Sequence, residues 1–95
     1  MPFAYILDQL QDGQAAKRPT WGGYVKREDG QNGAYTLTFK NRAGTSYAFA
    51  WSGSAWSTTA SLTLDAELLA AMAAQDWIIG DAAEFETARA GTGTW

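Results

Sequence analysis

The sequence predicts an α+β fold: an antiparallel β-sheet of three to five strands, with an N-terminal helix and a second helix before the last strand. Three observations lead to this prediction. The first residues have the spacing of an amphipathic helix, the central third alternates apolar and polar residues, and a Leu- and Ala-rich stretch precedes a short apolar segment. A chain of 95 residues buries one hydrophobic core. We therefore assign residues 1–80 to a single domain and residues 81–95 to an acidic C-terminal tail rich in Ala, Gly and Thr.

The N-terminal helix is predicted over residues 3–12. Its apolar residues recur at positions i, i+3, i+4 and i+7 and share one face: Phe3, Ile6, Leu7 and Leu10. Pro2 suits the first turn, and Gly13 suits the left-handed conformation that often follows a helix. Because Pro19 disfavours the helical region for the residue before it, residues 15–19 are expected to be a short extended segment.

Three strands of an antiparallel meander are predicted over residues 22–28, 34–41 and 45–51. In the middle strand, Tyr35, Leu37 and Phe39 alternate with polar residues, so one face is apolar. Residues 56–64 are rich in Ser and Thr, which leaves open whether they form a fourth strand or a loop.

The second helix is predicted over residues 66–75, with Asp65 as its N-cap. Residues 76–80 then return to the sheet as a short strand in which Trp77 is expected to be a core residue. The tail from residue 81 onwards is expected to fray, because it is rich in small and polar residues.

Composition excludes several kinds of function. The chain has no Cys and no His, so disulfides, thiolate metal sites and imidazole chemistry are excluded. The acidic pair Glu84 and Glu86 is too common a pattern to indicate glycoside hydrolysis, and no P-loop sequence occurs. We expect no catalytic residues, no cofactor and no bound metal.

No stretch approaches the roughly 18 apolar residues of a membrane span, and the acidic start is unlike a signal peptide. We therefore expect a cytoplasmic protein without membrane contact.

Charge is unevenly distributed along a chain of net charge −3. Most basic residues lie within residues 17–42: Lys17, Arg18, Lys26, Arg27, Lys40 and Arg42. Binding to long nucleic acid depends on many phosphate contacts, which an acidic chain does not favour. A small anion in a local basic pocket fits this distribution better.

Arg18 and Trp21 precede two glycines, Gly22 and Gly23. This segment can place a cation beside a flat aromatic face and beside backbone without Cβ atoms, which suits a planar anionic ligand. The alternative is a surface Arg that covers a core Trp, which composition alone favours.

The chain resembles a known family, the second type of Thoeris anti-defence protein. The resemblance lies in the order Phe3, Leu7, Leu10, Gly13, Ala16, Arg18, Trp21, Gly22 and Gly23, and in the closing helix that leads into Asp76-Trp77-Ile78-Ile79. Members of that family are small phage or prophage proteins that form homo-oligomers, commonly tetramers. They sequester cyclic nucleotide immune signals without cleaving them.

The resemblance implies a dimer or tetramer in the cytoplasm of a bacterial host, with ligand sites at subunit boundaries. The implied ligand is a cyclic ADP-ribose isomer or a cyclic oligonucleotide. Trp21 would stack on a base, and Arg18, assisted by Lys17 or Lys26, would hold phosphate. Asp76 would accept hydrogen bonds, and Tyr24 would line the groove.

Two other functions remain open at this stage. One is inhibition of a nucleic-acid-targeting immune effector through the acidic tail and exposed aromatic residues, including Trp95, as an anti-CRISPR protein does. The other is a structural phage protein whose sheet edges assemble.

Overall fold

The computed structural model describes residues 1–58, 70–89, 91 and 93–95. The elements follow in chain order: α1 (Phe3–Gln9), β1 (Gln14–Lys17), β2 (Tyr24–Asp29), β3 (Tyr35–Lys40), β4 (Ser46–Trp51), β5 (Trp56–Thr58), β6 (Ile78–Asp81) and α2 (Ala82–Ala88). Residues 70–72 are also helical, so a helix precedes β6 as predicted. The predicted residues 66–69 of that helix, and residues 59–64, lie outside the described part of the chain.

The strands form one antiparallel sheet in the order β5-β4-β3-β2-β1-β6. Strands β1 to β5 are a meander, and β6 returns to the outer side of β1. The α+β class is therefore confirmed. The sheet has six strands rather than three to five, because the extended segment after α1 and residues 56–58 both pair as strands.

Helix α1 ends at Gln9, earlier than predicted. A basic residue of β2, Arg27, donates a hydrogen bond to the backbone at this end. Leu10 donates its backbone N–H to the carbonyl of Ile6 at 2.8 Å but already has an extended conformation. The carbonyl of Leu10 then accepts from Nη1 of Arg27 at 3.0 Å, and Nε of Arg27 donates to Asp29 at 2.7 Å. Arg27 thus supplies a partner for a carbonyl that the helix leaves unpaired.

The core lies between α1 and one face of the sheet. In the β2–β3 register Val25 faces Phe39, and both are buried with Leu37 beneath the helix. The largest fully buried side chains are Trp21, Trp77, Phe39, Ile6, Leu10 and Val25. The prediction that Trp77 is a core residue is confirmed, and its indole N–H donates to the carbonyl of Ala71 at 2.9 Å. That hydrogen bond satisfies the polar group that such burial would otherwise leave unpaired.

Helix α2 covers the other face of the sheet. Asp81 caps its first turn by accepting from the N–H groups of Ala83 and Glu84 at 2.7 and 3.3 Å. The ring of Phe85 fills the space above Gly80, where a Cβ atom would lie 2.6 Å from the ring. These residues are therefore helical and packed, not frayed as the tail was expected to be.

Residues Gly93–Trp95, which we name the C-terminal strap, pack against the segment between β1 and β2. Thr94 donates its N–H to the carbonyl of Thr20 at 2.8 Å, and Gly22 donates to the carbonyl of Thr94 at 3.1 Å. Thr94 and Trp21 form a parallel bridge. The strap is thus held by backbone hydrogen bonds, which its composition did not indicate.

Gly23→Ala is expected to destabilise the protein strongly. A Cβ atom at Gly23 would meet the carbonyl oxygen of Lys40 and lie 2.8 Å from Cα of Asn41, and both contacts are with backbone. We expect a loss of at least about 2 kcal/mol in the free energy of unfolding, measured by urea denaturation.

The matched control is Gly30→Ala, where the nearest atom lies 3.6 Å away in ordinary contact. This variant should remain within roughly 0.5 kcal/mol of the parent. Equal stability of the two variants would contradict the close approach at Gly23.

Candidate functional site

The indole of Trp21 is buried, which corrects the sequence hypothesis of an open stacking platform. Its side chain is 1% exposed. The ring of Trp77 meets it edge-on at 5.0 Å, and the ring of Trp95 lies 4.2 Å from it at an interplanar angle of 34°. Trp21 follows a turn in which its N–H donates to the carbonyl of Arg18, and this turn directs the indole into the core. The alternative of a core Trp near a surface Arg therefore describes this segment.

Arg18 and Asp76 meet at the surface although 58 residues separate them. Nε of Arg18 lies 2.9 Å from Oδ1 of Asp76, and Nη2 lies 3.4 Å from Oδ2. The side chains are 22% and 45% exposed, respectively. The hydrogen bond from Arg18 lowers the pKa of Asp76. The structure thus brings two predicted site residues together, but they form an ion pair in which each side chain neutralises the charge of the other.

Tyr24 and Lys26 lie on the sheet face that α2 partly covers, because they alternate with the core residue Val25. They line a cleft of about 390 Å³ that also includes Asp81 and Glu86. Nζ of Lys26 lies 3.4 Å from Oε1 of Glu28, and the two side chains are 39% and 62% exposed, respectively. The five predicted residues therefore do not form one site.

Glu86 is the centre of a polar network that fastens α2 to the sheet. Its carboxylate accepts from the Tyr24 hydroxyl at 2.6 Å, from Nζ of Lys40 at 3.0 Å and from Nε of Arg89 at 3.2 Å. Hydrogen bonds from Tyr24 and then Lys40 lower the pKa of Glu86 to about 2. Burial, followed by the hydrogen bond to Glu86, raises the pKa of Tyr24 to about 12.

A second cleft, which we name the Arg42 cleft, combines a guanidinium with an indole. It has a volume of about 500 Å³ and is lined by Asn41, Arg42, Ala43 and Trp95. The indole of Trp95 is half-buried, and the ring of Tyr47 stacks on it with a centroid distance of 6.4 Å and an angle of 22°. The backbone N–H of Arg42 donates to the carbonyl of Trp95, which ties the cleft to the strap.

Within the described residues, the guanidinium of Arg42 forms one weak hydrogen bond, to the carbonyl of Gly93 at 3.4 Å. In the described ranges of the chain, the salt bridges engage other cations: Arg18, Lys26, Arg27, Lys40 and Arg89. Arg42 therefore lines the cleft without forming a salt bridge to an Asp or Glu side chain of these ranges.

Sequence reasoning missed this cleft because its residues lie at the junction between two predicted strands and in the tail that was expected to fray. Arg42 appeared only among the basic residues of the central third, and Trp95 only as an exposed aromatic residue. More than fifty positions separate them, so no local spacing signal connects them.

Among residues 1–58, 70–89, 91 and 93–95, no three acidic side chains are grouped in a way that would hold a metal ion. No helix within these residues has the length and apolar character needed to cross a membrane.

Comparisons of the chain with protein-family models, with curated proteins and with solved structures find no match. The resemblance to the second type of Thoeris anti-defence protein accordingly remains a hypothesis from the sequence.

Trp21→Ala is expected to destabilise the fold by about 3–5 kcal/mol, because it removes a large ring from between two others. This loss approaches the whole stability of a small domain, so thermal unfolding should show a much lower Tm or no transition. Arg18→Ala, three residues away, removes a partly exposed ion pair and should change stability by less than about 1 kcal/mol. A Trp21→Ala variant with the parent's Tm would contradict the burial of this indole.

Stability should fall in acid through Glu86. Its pKa in the folded protein is about 2, below its ordinary value of 4.5, so its contribution is complete above that ordinary value and is lost as the pH falls towards 2. Urea midpoints measured from pH 6 to pH 2 should show this decline. Glu86→Gln should lower stability at neutral pH and flatten the acid decline, whereas Asp76→Asn should leave most of it. An unchanged acid decline in Glu86→Gln would contradict the role given to this carboxylate.

Proposed function

We propose that this chain is a non-enzymatic protein that captures a nucleotide in the Arg42 cleft. The observation that carries the proposal is that, within the described residues, the Arg42 guanidinium forms no salt bridge with an Asp or Glu side chain, and that Arg42 and Trp95 line the same cleft. Its biological activity, on this proposal, is sequestration of a cyclic nucleotide immune signal in a bacterial host. A cyclic ADP-ribose isomer and a cyclic oligonucleotide are the ligands that the family resemblance implies.

The two side chains suit the two halves of a nucleotide. An indole offers a flat face on which any base can stack, a contact of about 1–3 kcal/mol. A guanidinium binds phosphate oxygens through parallel N–H groups, which makes the contact directional as well as charged. The cleft volume of about 500 Å³ lies within the range of small-molecule sites.

The indole of Trp95 is held before any ligand arrives. Its ring lies against Trp21 at 4.2 Å, and the Tyr47 ring stacks on it. A ring that is already ordered loses little conformational entropy when a base packs against its exposed part, so more of the contact energy appears as affinity.

Sequestration requires tight binding of the nucleotide and no chemical conversion of it. A dissociation constant well below the concentration of the signal is a sufficient mechanism, and it requires neither a nucleophile nor a general base. Assembly as a homo-oligomer, a dimer or a tetramer, belongs to the same proposal. So does retention of the ligand in intact form.

The proposal is tested by titrating the purified protein with cyclic ADP-ribose and with cyclic dinucleotides in a calorimeter. At least one should bind and raise Tm, because a ligand that binds only the folded state stabilises it. Arg42→Ala should weaken this binding by at least about 10-fold, since a hydrogen bond to a charged group contributes about 1.5–3 kcal/mol. The ligand recovered by chromatography should be unchanged.

Arg18→Ala is the matched control, because it removes the same charge from the predicted site while leaving the cleft intact. Its affinity should stay close to that of the parent. Loss of binding in Arg18→Ala with retention in Arg42→Ala would place the ligand elsewhere and overturn the assignment of the cleft. Absence of binding by every nucleotide would overturn the proposed function itself.

A further inference from the structure

Arg89, at the end of α2, joins that helix to the turn that carries Arg42. Its Nη1 donates to the carbonyl of Arg42 at 2.8 Å and to the carbonyl of Asn41 at 3.4 Å. Its Nε donates to both oxygens of Glu86 at 3.2 Å. One side chain therefore bridges a carboxylate on α2 and two carbonyls of the β3–β4 turn.

The helix end of this bridge is rigid, because Glu86 is itself fixed from two strands. Tyr24 of β2 and Lys40 of β3 both donate to the same carboxylate. The side chains of Arg89 and Glu86 are 18% and 40% exposed, so the contacts with this carboxylate are partly buried. Hydrogen bonds in a partly buried network restrict their members more than isolated surface contacts do.

The β3–β4 turn is stabilised by its own hydrogen bonds, but these do not connect it to α2. Asn41 and Thr45 exchange hydrogen bonds of 3.0 and 2.9 Å across it, and Gly44 has a φ of 93°. A Cβ atom at Gly22 would lie 2.8 Å from the carbonyl oxygen of Arg89 and 3.2 Å from Cβ of Arg42. The end of α2 and the turn therefore approach each other closely, and the Arg89 side chain supplies the polar contacts between them.

We propose that Arg89 is a positioning residue for the Arg42 cleft: it orients the turn so that Arg42 lines the cleft together with Trp95, without itself contacting the ligand. This inference rests on the proposed function. It also explains why arginine suits the position, since a guanidinium has separate N–H groups for the carboxylate and the carbonyls, whereas a lysine has a single nitrogen.

A double-mutant cycle tests this role. Arg89→Lys keeps the charge and loses the bridge, and it should weaken nucleotide binding by about 10-fold, or about 1.4 kcal/mol. In an Arg42→Lys background, the same substitution should weaken binding by less than about twofold, because residues that act through one contact are not additive. A second full 10-fold loss in that background would mean that Arg89 acts independently of Arg42, and would overturn the proposal.

Arg27→Lys is the matched control, because Arg27 also bridges a carboxylate and a carbonyl, on the other side of the sheet. It should leave nucleotide affinity within about twofold of the parent. An equal loss in Arg27→Lys and Arg89→Lys would show a general effect of stability and would also overturn the positioning role.

A ligand-free measurement separates this inference from the proposed function. Hydrogen exchange of the Gly44 amide, which bonds to the carbonyl of Asn41, should accelerate at least about fivefold in Arg89→Lys, while the Leu37 amide exchanges at its parent rate. If no nucleotide binds the parent protein but Gly44 exchange accelerates, the proposed function fails and the ordering of the turn stands. Unchanged exchange at Gly44 overturns the role of Arg89 whatever the ligand result.

Discussion

The packing of Trp21 between Trp77 and Trp95 is the contact on which the rest of the structure depends. The three rings come from the segment after β1, the segment before β6 and the C-terminal strap, so their association joins parts of the chain that are far apart in sequence. Burial of large rings is the strongest apolar contribution available to a small domain. Because this cluster holds the strap in place, it also fixes one wall of the Arg42 cleft.

Because Trp21 belongs to this aromatic cluster, the cation and indole that lie near each other at the surface are not the pair predicted from the sequence. The sequence places Arg18 near Trp21, but the turn between them directs the indole into the core, while the guanidinium pairs with Asp76. The fold brings Arg42 and Trp95 together instead, at the edge of the aromatic cluster rather than inside it. The Trp95 ring is half-buried and is held by the rings of Trp21 and Tyr47, so it is ordered but keeps part of its surface exposed.

In the part of the chain that the structure describes, the basic residues near the Arg42 cleft outnumber the acidic side chains that pair with them. Lys40 and Arg89 share the single carboxylate of Glu86, so that corner of an acidic chain keeps an excess of positive charge. Arg42 adds to it from the adjacent turn. On the proposed function, these nearby cations would matter more to a small anion than the negative net charge of the whole chain, because distant charges are screened by salt.

The sequence by itself determined the elements whose signals are local. The 3.6-residue period set the face of α1, the two-residue period set the meander of β2 to β4, and the apolar setting of Trp77 marked it as core. The tertiary structure decided the pairing of β1 with β6, the strap and the burial of Trp21. The physical reason is that periodicity records which face of an element is apolar. Periodicity does not record which distant segment will pack over an aromatic ring at the end of a strand. That packing decides whether the ring is buried in the core or exposed at a binding site.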